Sequence, residues 1–212
     1  MADNISGHVA AILVELEKMA VADKIKTLNE IRSALHEISP MKNEPIDLVL
    51  WKKSDLVKAN DYNPNTVAPP EMKLLEVSIN SDGYTQPIVT WPLERSYEVV
   101  DGFHRTRIGK ESKEVMQRTR GYLPITLINH DREDRGDRIA ATIRHNRARG
   151  KHKVQGMSEI VQDLSRRKWS DEKIGRELGM DRDEVLRLKQ IGGLAEMFSD
   201  KEFSEAWEPI LP

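Results

Sequence analysis

The residues best suited to chemistry form one short run, Asp-Gly-Phe-His-Arg-Thr-Arg at positions 101–107, directly after the β-rich stretch 97–100. The stretch predicts a buried strand, and the run predicts the turn into a helix that begins at Phe103. The first amides of a helix have no partners within it, and the helix dipole favours an anion there. Because Gly102 has no side chain, an anion could approach the backbone closely. The run therefore predicts a site for a phosphorylated group, such as a nucleotide.

Four side chains of this run have distinct predicted roles. Arg105 can offer two parallel donors to a phosphate, and Arg107 adds a second positive charge. Asp101, at the strand end, is the candidate ligand for a Mg²⁺ ion that bridges to the phosphate. Asp101 and His104 are also the candidate catalytic groups if the site turns its ligand over. In the alternative interpretation, Asp101 only caps the helix while His104 and Arg105 face solvent.

The elements that must position this run predict an α+β unit over residues 46–133. Their order is strand, helix, two strands, helix and strand, which favours a small mixed sheet covered by helices. The strands are predicted at residues 46–51, 87–91, 97–100 and 125–129. The first helix is predicted to start at Pro69-Pro70 and to be closed by Gly83.

Residues 134–198 predict only helices, and two of these, at 171–178 and 182–190, resemble a helix-turn-helix with Gly179 in its turn. Its predicted buried core consists of Ile174, Leu178, Val185 and Leu188. Ser170 and Asp181 are the predicted N-caps of the two helices.

The second of these helices is the one that would enter a major groove of DNA. The candidate base contacts are Arg182, Arg187 and Lys189, and the candidate contacts to backbone phosphates are Arg144, Lys151 and Lys153. Base contacts select sequence, whereas phosphate contacts position the protein. The alternative is a helical domain that packs and bends but does not touch DNA.

A basic patch is hidden in a nearly balanced composition. The chain of 212 residues has a formal net charge of −2, with 38% hydrophobic and 32% charged residues. Residues 131–168 carry 11 basic and 6 acidic side chains, whereas residues 169–212 carry 6 basic and 11 acidic ones. The positive segment supplies the charge that the surroundings of the helix-turn-helix lack. Double-stranded DNA is therefore a predicted partner.

Composition also excludes several classes of protein. No apolar run approaches the ~20 residues of a membrane-spanning helix, so no membrane role is predicted. The chain has no cysteine, which excludes disulfides, thiolate metal sites and thiol nucleophiles. The first residues lack the basic start and the apolar core of a secretion signal, so a cytoplasmic location is predicted.

Residues 1–45 predict a helical arm, and residues 199–212 a weakly structured tail. Five apolar residues recur in the arm at spacings of four and three, which places them on one helix face: Ile5, Val9, Ile12, Leu16 and Met19. A second, out-of-phase set at 28–38 predicts a second helix or a break near residues 21–23. The arm could pack on its own domain, pair with a second copy in a homodimer, or capture a protein partner.

Three segments, in order, resemble the N-terminal domain of the ParB/sulfiredoxin superfamily. They are Asn63-Pro64 followed by residues 79–89 with their Gln86-Pro87-Ile88 strand, the Gly-x-x-Arg run at 101–107, and Asn146-Arg147-Ala148-Arg149. The helix-turn-helix follows in the expected place, and the chain is also similar to the ParB-like prophage-gene co-activators called IbrB. The resemblance implies a nucleotide site that takes CTP or ATP with Mg²⁺ and is built from Gln86, Gly102, His104, Arg105, Arg107, Asn146 and Arg149.

The implied function is a nucleotide-binding, DNA-associated regulator of gene expression. The alternative within the superfamily is a metal-dependent enzyme: a nucleoside triphosphatase, a kinase-like protein or a nuclease. His145 stands where ParB partition proteins usually carry an acid, so nucleotide hydrolysis stays open. Sulfiredoxin chemistry is excluded, because it requires a cysteine next to the histidine.

Overall fold

The computed structural model describes residues 2–62, 69–128, 134–147 and 154–198. Contacts divide them into two units. The first unit takes in the described residues up to Asp61 and from Pro69 to Asp134, and it contains the sheet. The second takes in Tyr62 and the described residues from Arg135 onward, and its regular elements are helices. The predicted fold class, a mixed sheet with helices followed by an all-helical module, is confirmed.

The sheet has five strands in the order β1-β5-β3-β4-β2. They are β1 (Leu50–Lys53), β2 (Val57–Lys58), β3 (Ile88–Pro92), β4 (Tyr97–Asp101) and β5 (Tyr122–Leu127). The β1–β5 and β3–β4 pairs are antiparallel, and the β3–β5 and β2–β4 pairs are parallel. The central strands carry the buried side chains of Ile88, Val99, Leu123 and Ile125. Because β4 lies inside the sheet, its carboxyl end delivers Asp101 from a fixed position.

Five α-helices belong to the first unit among its described residues: α1 (Ala2–Lys18), α2 (Val21–Glu37), α3 (Pro69–Asp82), α4 (Phe103–Glu111) and α5 (Lys113–Arg118). α3, α4 and α5 share a buried cluster of Ile79, Ile108 and Val115. Arg118 in α5 donates to the carbonyls of Ile79 and Asn80, at 2.6 and 2.9 Å. These bonds tie α5 to the last turn of α3, where the Ile79 carbonyl also accepts from the Gly83 N–H at 3.0 Å.

Asn29 fastens α2 to the β1 edge of the sheet. Its Nδ2 donates to the Trp51 carbonyl at 2.7 Å, and its Oδ1 accepts from the Trp51 N–H at 3.0 Å. One side-chain amide thus fills both hydrogen-bonding positions that a neighbouring strand would use at Trp51. Near the end of α2, His36 and Ser39 bind the Asp47 carboxylate at 2.6 and 2.9 Å, and these hydrogen bonds lower the pKa of Asp47.

Several elements of the first unit differ from the prediction. The strand predicted at 46–51 begins only at Leu50, because Pro45–Asp47 form a 3₁₀-helix instead. The hydrogen bonds from His36 and Ser39 to Asp47 hold this short helix in place. Neither β2 nor α5 was predicted, since elements of two and six residues are too short to show a period. The predicted starts of α3 at Pro69 and of α4 at Phe103 are both confirmed.

The second unit contains α6 (Arg135–Arg147), α7 (Val154–Arg166), α8 (Asp171–Leu178) and α9 (Arg182–Phe198). Its buried cluster includes the four predicted core residues of the helix-turn-helix, Ile174, Leu178, Val185 and Leu188. α9 continues eight residues beyond its predicted end at Gln190. This helix packs on α7, where Ser158 donates to the Leu188 carbonyl at 2.7 Å. No helix among the described residues of either unit is long and apolar enough to span a membrane.

A close contact at Gly109 sets the position of α4. A Cβ on Gly109 would overlap the Tyr84 hydroxyl and a methyl group of Leu123. The same hydroxyl donates to the Arg105 carbonyl at 3.0 Å, and burial raises the pKa of Tyr84 to about 12, so that it remains a donor. α4 can approach the sheet this closely only because residue 109 has no side chain.

The substitution Gly109→Ala should therefore lower the free energy of unfolding by about 1–3 kcal/mol, the usual cost of an overpacked core. Gly7→Ala is the matched control, because nothing lies within 4 Å of a Cβ at this position in α1, and it should gain up to about 1 kcal/mol in helix propensity. Urea unfolding followed by circular dichroism measures both. A Gly109→Ala protein as stable as Gly7→Ala would contradict the contact.

Candidate functional site

The turn from β4 into α4, residues 101–107, lies where the sequence predicts an anion site and is here called the cradle. Gly102 precedes α4 in the left-handed region, with φ of 95°, a conformation that glycine adopts without the cost other residues incur. No described side chain caps this helix start. The Gly102 carbonyl accepts from the backbone N–H and the hydroxyl of Thr106, at 2.9 and 3.0 Å. The α4 start thus offers backbone donors next to a residue without a side chain.

Arg105 folds back across this turn. Its guanidinium donates to Gln86 Oε1 at 2.8 Å, to the Pro87 carbonyl at 3.3 Å and to Asp101 Oδ2 at 3.4 Å. A Cβ on Gly102 would lie 3.0 Å from Arg105 Nη2, so the guanidinium lies directly against the glycine. The structure thus brings together four of the predicted site residues, Gln86, Asp101, Gly102 and Arg105, within the first unit.

Arg107 lies on a different side of α4 from Arg105. Two residues along a helix correspond to a rotation of about 200°, and Arg107 instead forms a two-bond ion pair with Glu111, both bonds at 3.0 Å. That pair raises the pKa of Arg107, mainly through its hydrogen bonds. Arg107 and Glu111 line one wall of an open groove of about 450 Å³, whose other wall is α3 with Met72 and Lys73. Arg105 thus lies at the turn and Arg107 at the groove, and the predicted contact of both with one phosphate stays a prediction.

His104 is half-buried and stands edge-on to the Phe103 ring, with the ring centroids 5.5 Å apart. Burial lowers its pKa, and the nearby cations Arg107 and Arg105 lower the pKa further, against a smaller opposing effect of Glu71. The imidazole is therefore neutral at pH 7, so that one ring nitrogen can donate a hydrogen bond and the other can accept one.

Asp101 fits a Mg²⁺ ion only as part of a metal–phosphate complex. The carboxylate is buried, with 7% of the residue exposed, and it accepts from Arg105. The described residues contain no group of three or more His, Asp or Glu that could hold a metal by themselves. Mg²⁺ is commonly held by one or two carboxylates together with water and substrate phosphates. Asp101 could supply one such ligand at this turn.

The third predicted segment of the site is only partly described. Asn146 belongs to the last turn of α6, and its side chain lies outside the described part of the chain. Arg149, Lys151 and Lys153 also lie outside the described residues, so their predicted contacts to nucleotide and DNA stay predictions.

The helix-turn-helix is built as its sequence predicts. Ser170 caps α8 by accepting from the Lys173 N–H at 3.2 Å, and Asp181 accepts from the Glu184 N–H at 2.7 Å at the start of α9. Gly179 closes α8 in the left-handed conformation, with φ of 67°. At Gly175 a Cβ would lie 2.8 Å from the Met180 carbonyl oxygen, so the turn requires a small residue at that position. This requirement was not foreseen, although a glycine inside a short helix was a signal for it.

The predicted DNA-contacting cations of this unit fall into two groups. Arg182 and Arg187 are exposed on α9. Arg144 forms an ion pair with Glu177 Oε2 at 2.6 Å, which links α6 to α8, and Lys189 pairs with Asp171, which links α9 to α8. A DNA phosphate would have to compete with these carboxylates for Arg144 and Lys189.

The pKa of His104 makes stability depend on pH. Because its pKa in the folded state is below the ordinary value of 6.5, the unfolded chain binds more protons as pH falls through 6.5, and the folded state loses stability. The wild type should therefore lose more stability than His104→Gln between about pH 7.5 and about pH 5.5, as measured by urea midpoints. His8→Gln, a change of an exposed histidine in α1, is the matched control. Equal losses in the wild type and His104→Gln would contradict the burial of the neutral imidazole.

Solved structures that resemble this chain are ParB proteins, the group that the three sequence segments resemble. The C-terminally truncated ParB of Caulobacter crescentus in complex with CTP-γ-S is 19% identical, with a TM-score of 0.39 over 71% of this chain and 83% of that one. The same protein on the centromeric parS site is 17% identical, with a TM-score of 0.46 over 70% and 75%. A Pnob8-like ParB-N domain is 14% identical, with a TM-score of 0.46 over 72% and 75%.

Two comparisons of sequence, one with a family model and one with a related protein, show the family of the chain. Residues 152–200 match the family described as the IbrB-like C-terminal HTH domain, which confirms the predicted likeness to IbrB over these residues. The Escherichia coli (strain K12) protein YbdM is 58% identical over 186 residues, which make up 87% of this chain and 88% of YbdM. The chain therefore belongs to the YbdM family, with an IbrB-like helix-turn-helix domain at its C-terminal side.

Proposed function

We propose that the protein is a DNA-binding regulator of gene expression whose first unit binds a nucleoside triphosphate, CTP or ATP, together with Mg²⁺. The observation that carries the proposal is the IbrB-like helix-turn-helix at residues 152–200, whose second helix exposes Arg182 and Arg187. The cradle at 101–107 supports the nucleotide part. A cytoplasmic location, where DNA and nucleotides are both present, belongs to the same proposal.

In the DNA complex, α9 would lie in a major groove. The ion pair of Arg144 links α6 to α8, and that of Lys189 links α9 to α8. Together with the capped starts of α8 and α9, these pairs hold the three helices in a fixed arrangement. Residues 181–184 at the start of α9 include three acids, so attraction to DNA has to come from Arg182, Arg187 and the basic segment before α7. Lys151 and Lys153 in that segment remain the proposed phosphate contacts.

In the nucleotide complex, a phosphate would meet the first amides of α4 and the adjacent guanidinium of Arg105. The guanidinium already lies over Gly102, and its hydrogen bonds to Gln86 and to the Pro87 carbonyl fix its position. A charge-assisted bond to phosphate would therefore require a small movement of an ordered group rather than the ordering of a free side chain. Mg²⁺ would neutralise part of the phosphate charge, with Asp101 as its protein ligand and neutral His104 as a nearby donor.

The proposal also includes a homodimer as the form that binds DNA. Helix-turn-helix proteins commonly bind as dimers to two half-sites about one helical turn of DNA apart. Two copies also double the number of phosphate contacts, which matters for a domain with acidic surroundings. The proposal also includes capture of a protein partner by the N-terminal arm, residues 1–45.

Arg105→Ala should remove most of the affinity for nucleotide, by at least about tenfold, because it deletes a charge-assisted donor and releases Asp101 and Gln86 from their shared partner. Isothermal titration of the full chain with CTP, ATP, GTP and UTP, each with Mg²⁺, measures this. Arg95→Ala, in the exposed hairpin between β3 and β4, is the control for loss of one positive charge. Unchanged binding of the preferred nucleotide to Arg105→Ala would mean that the turn is only structural.

The double variant Arg182→Ala/Arg187→Ala should weaken binding to a duplex of roughly 40 mixed-sequence base pairs. On mixed-sequence DNA these arginines have no preferred bases to read and act through the phosphates. The double variant should therefore also reduce the slope of log affinity against log salt by about 0.9 for each DNA phosphate that the protein no longer neutralises. Lys26→Ala, an exposed lysine in α2 of the other unit, serves as the control and should leave both quantities unchanged. Fluorescence anisotropy at several salt concentrations provides the measurement.

Two results would contradict the regulator proposal. One is equal affinity and salt slope in the wild type and the double variant. The other is turnover of CTP or ATP, detected as phosphate release, by a chain that binds no duplex DNA at any salt concentration tested. The latter result would favour the enzyme alternative instead.

A further inference from the structure

The N-terminal helix α1 presents an apolar surface that the described part of its own unit does not cover. Every residue from 4 to 15 is exposed, and the apolar ones include Ile5 at 64%, Val9 at 48%, Ile12 at 46% and Leu13 at 55%. Leu16, with 7% exposed, marks the position where the helix meets its own unit. Contiguous apolar surface of this kind marks an interaction site more often than scattered single residues do.

The chemistry of this surface restricts what can cover it. Residues 4–14 contain no Asp, Glu, Lys or Arg, so this stretch has no Lys or Arg to attract a DNA backbone or an anionic lipid headgroup. The next charged residues are Glu15, Glu17 and Lys18, of which Glu15 and Lys18 form an ion pair at 2.8 Å. The partner should therefore be an apolar, uncharged helix.

We propose that this partner is α1 of a second copy, packed antiparallel about Val9. The uncharged stretch 4–14 has Val9 at its centre, so a two-fold axis there superposes the stretch of one copy on that of the other. Val9 then faces its own counterpart, and Ile5 faces the partner's Leu13. Antiparallel packing also places the positive end of each helix dipole beside the negative end of the other, and the contact is closed and self-complementary.

The size of the surface sets the strength of the pairing. A helix of 17 residues is about 25 Å long and about 10 Å wide, which is well below the ~800 Å² per partner of a standard stable interface. The dimer should therefore form weakly and depend on protein concentration. The pairing rests on the homodimer of the proposed function and adds the surface that forms it. It requires neither nucleotide nor DNA, so it can fail while nucleotide binding and DNA binding stand, and the reverse.

Sedimentation of the full chain between about 5 and about 300 µM, the range of weak association, tests the pairing. The wild type should pass from monomer to dimer, and Val9→Asp should remain a monomer with its helix content retained. Leu35→Asp is the matched control, because Leu35 on α2 is also an exposed apolar residue, at 59% against 48% for Val9. A wild type that stays monomeric over the whole range would overturn the proposal, and so would a Val9→Asp chain that still dimerises.

Single cysteines separate the antiparallel arrangement from any other, since the chain has none of its own. A disulfide requires Cα atoms within about 7 Å. Under an added oxidant, Val9→Cys should form disulfide-linked dimers in high yield. Ile5→Cys should not, because antiparallel packing about Val9 offsets the two copies of residue 5 by about 12 Å along the helix. Equal cross-linking of both variants, or none of Val9→Cys at concentrations where the wild type is dimeric, would overturn the proposed geometry.

Discussion

The Arg105 guanidinium, folded across Gly102, is the contact on which the candidate nucleotide site depends. It can lie there because Gly102 has no side chain and a left-handed backbone. Its three acceptors come from the end of β4 and from the residues just before β3. One side chain therefore joins two neighbouring strands to the first turn of α4. Arg105 is the arginine best placed to contact a phosphate, and it also holds the turn together. The same side chain therefore positions the site and supplies its positive charge.

The helix-turn-helix unit divides these tasks between different cations. Arg144 and Lys189 pair with carboxylates of α8 and hold the helices together, whereas Arg182 and Arg187 are exposed on α9. The acids that make this part of the chain net negative are thus partly used within the fold. Because Lys189 is held by Asp171, Arg182 and Arg187 are the exposed cations that α9 offers to DNA.

Much of the second unit could be predicted from the sequence because its signals are local. The caps at Ser170 and Asp181, the left-handed Gly179 and the apolar spacing of α8 each depend on residues within one or two turns. The same holds for the glycine turn before α4. The ion pairs of Arg144 and Lys189 could not be predicted, because their partners lie 33 and 18 residues away in the chain.

Contacts between distant segments account for most of what could not be predicted in the first unit. The Asn29 amide at Trp51 and the Tyr84 hydroxyl over α4 join residues about twenty positions apart, and neither leaves a periodic pattern. Gly109 did leave a signal, a glycine inside a helix, but the signal does not say which side chain fills the space. The divergence of Arg105 and Arg107 around α4 follows from helix geometry alone, and it leaves Arg105 as the arginine that lies against Gly102.

The most direct test of the account is hydrogen–deuterium exchange of the full chain with and without CTP or ATP and Mg²⁺, read on peptides that cover residues 101–107. The first amides of α4 lack partners within the helix and should exchange fast in the free protein. Bound phosphate should protect them, and the protection should be absent in Arg105→Ala. Nucleotide binding that protects other peptides but leaves residues 101–107 unchanged would contradict the assignment of the cradle.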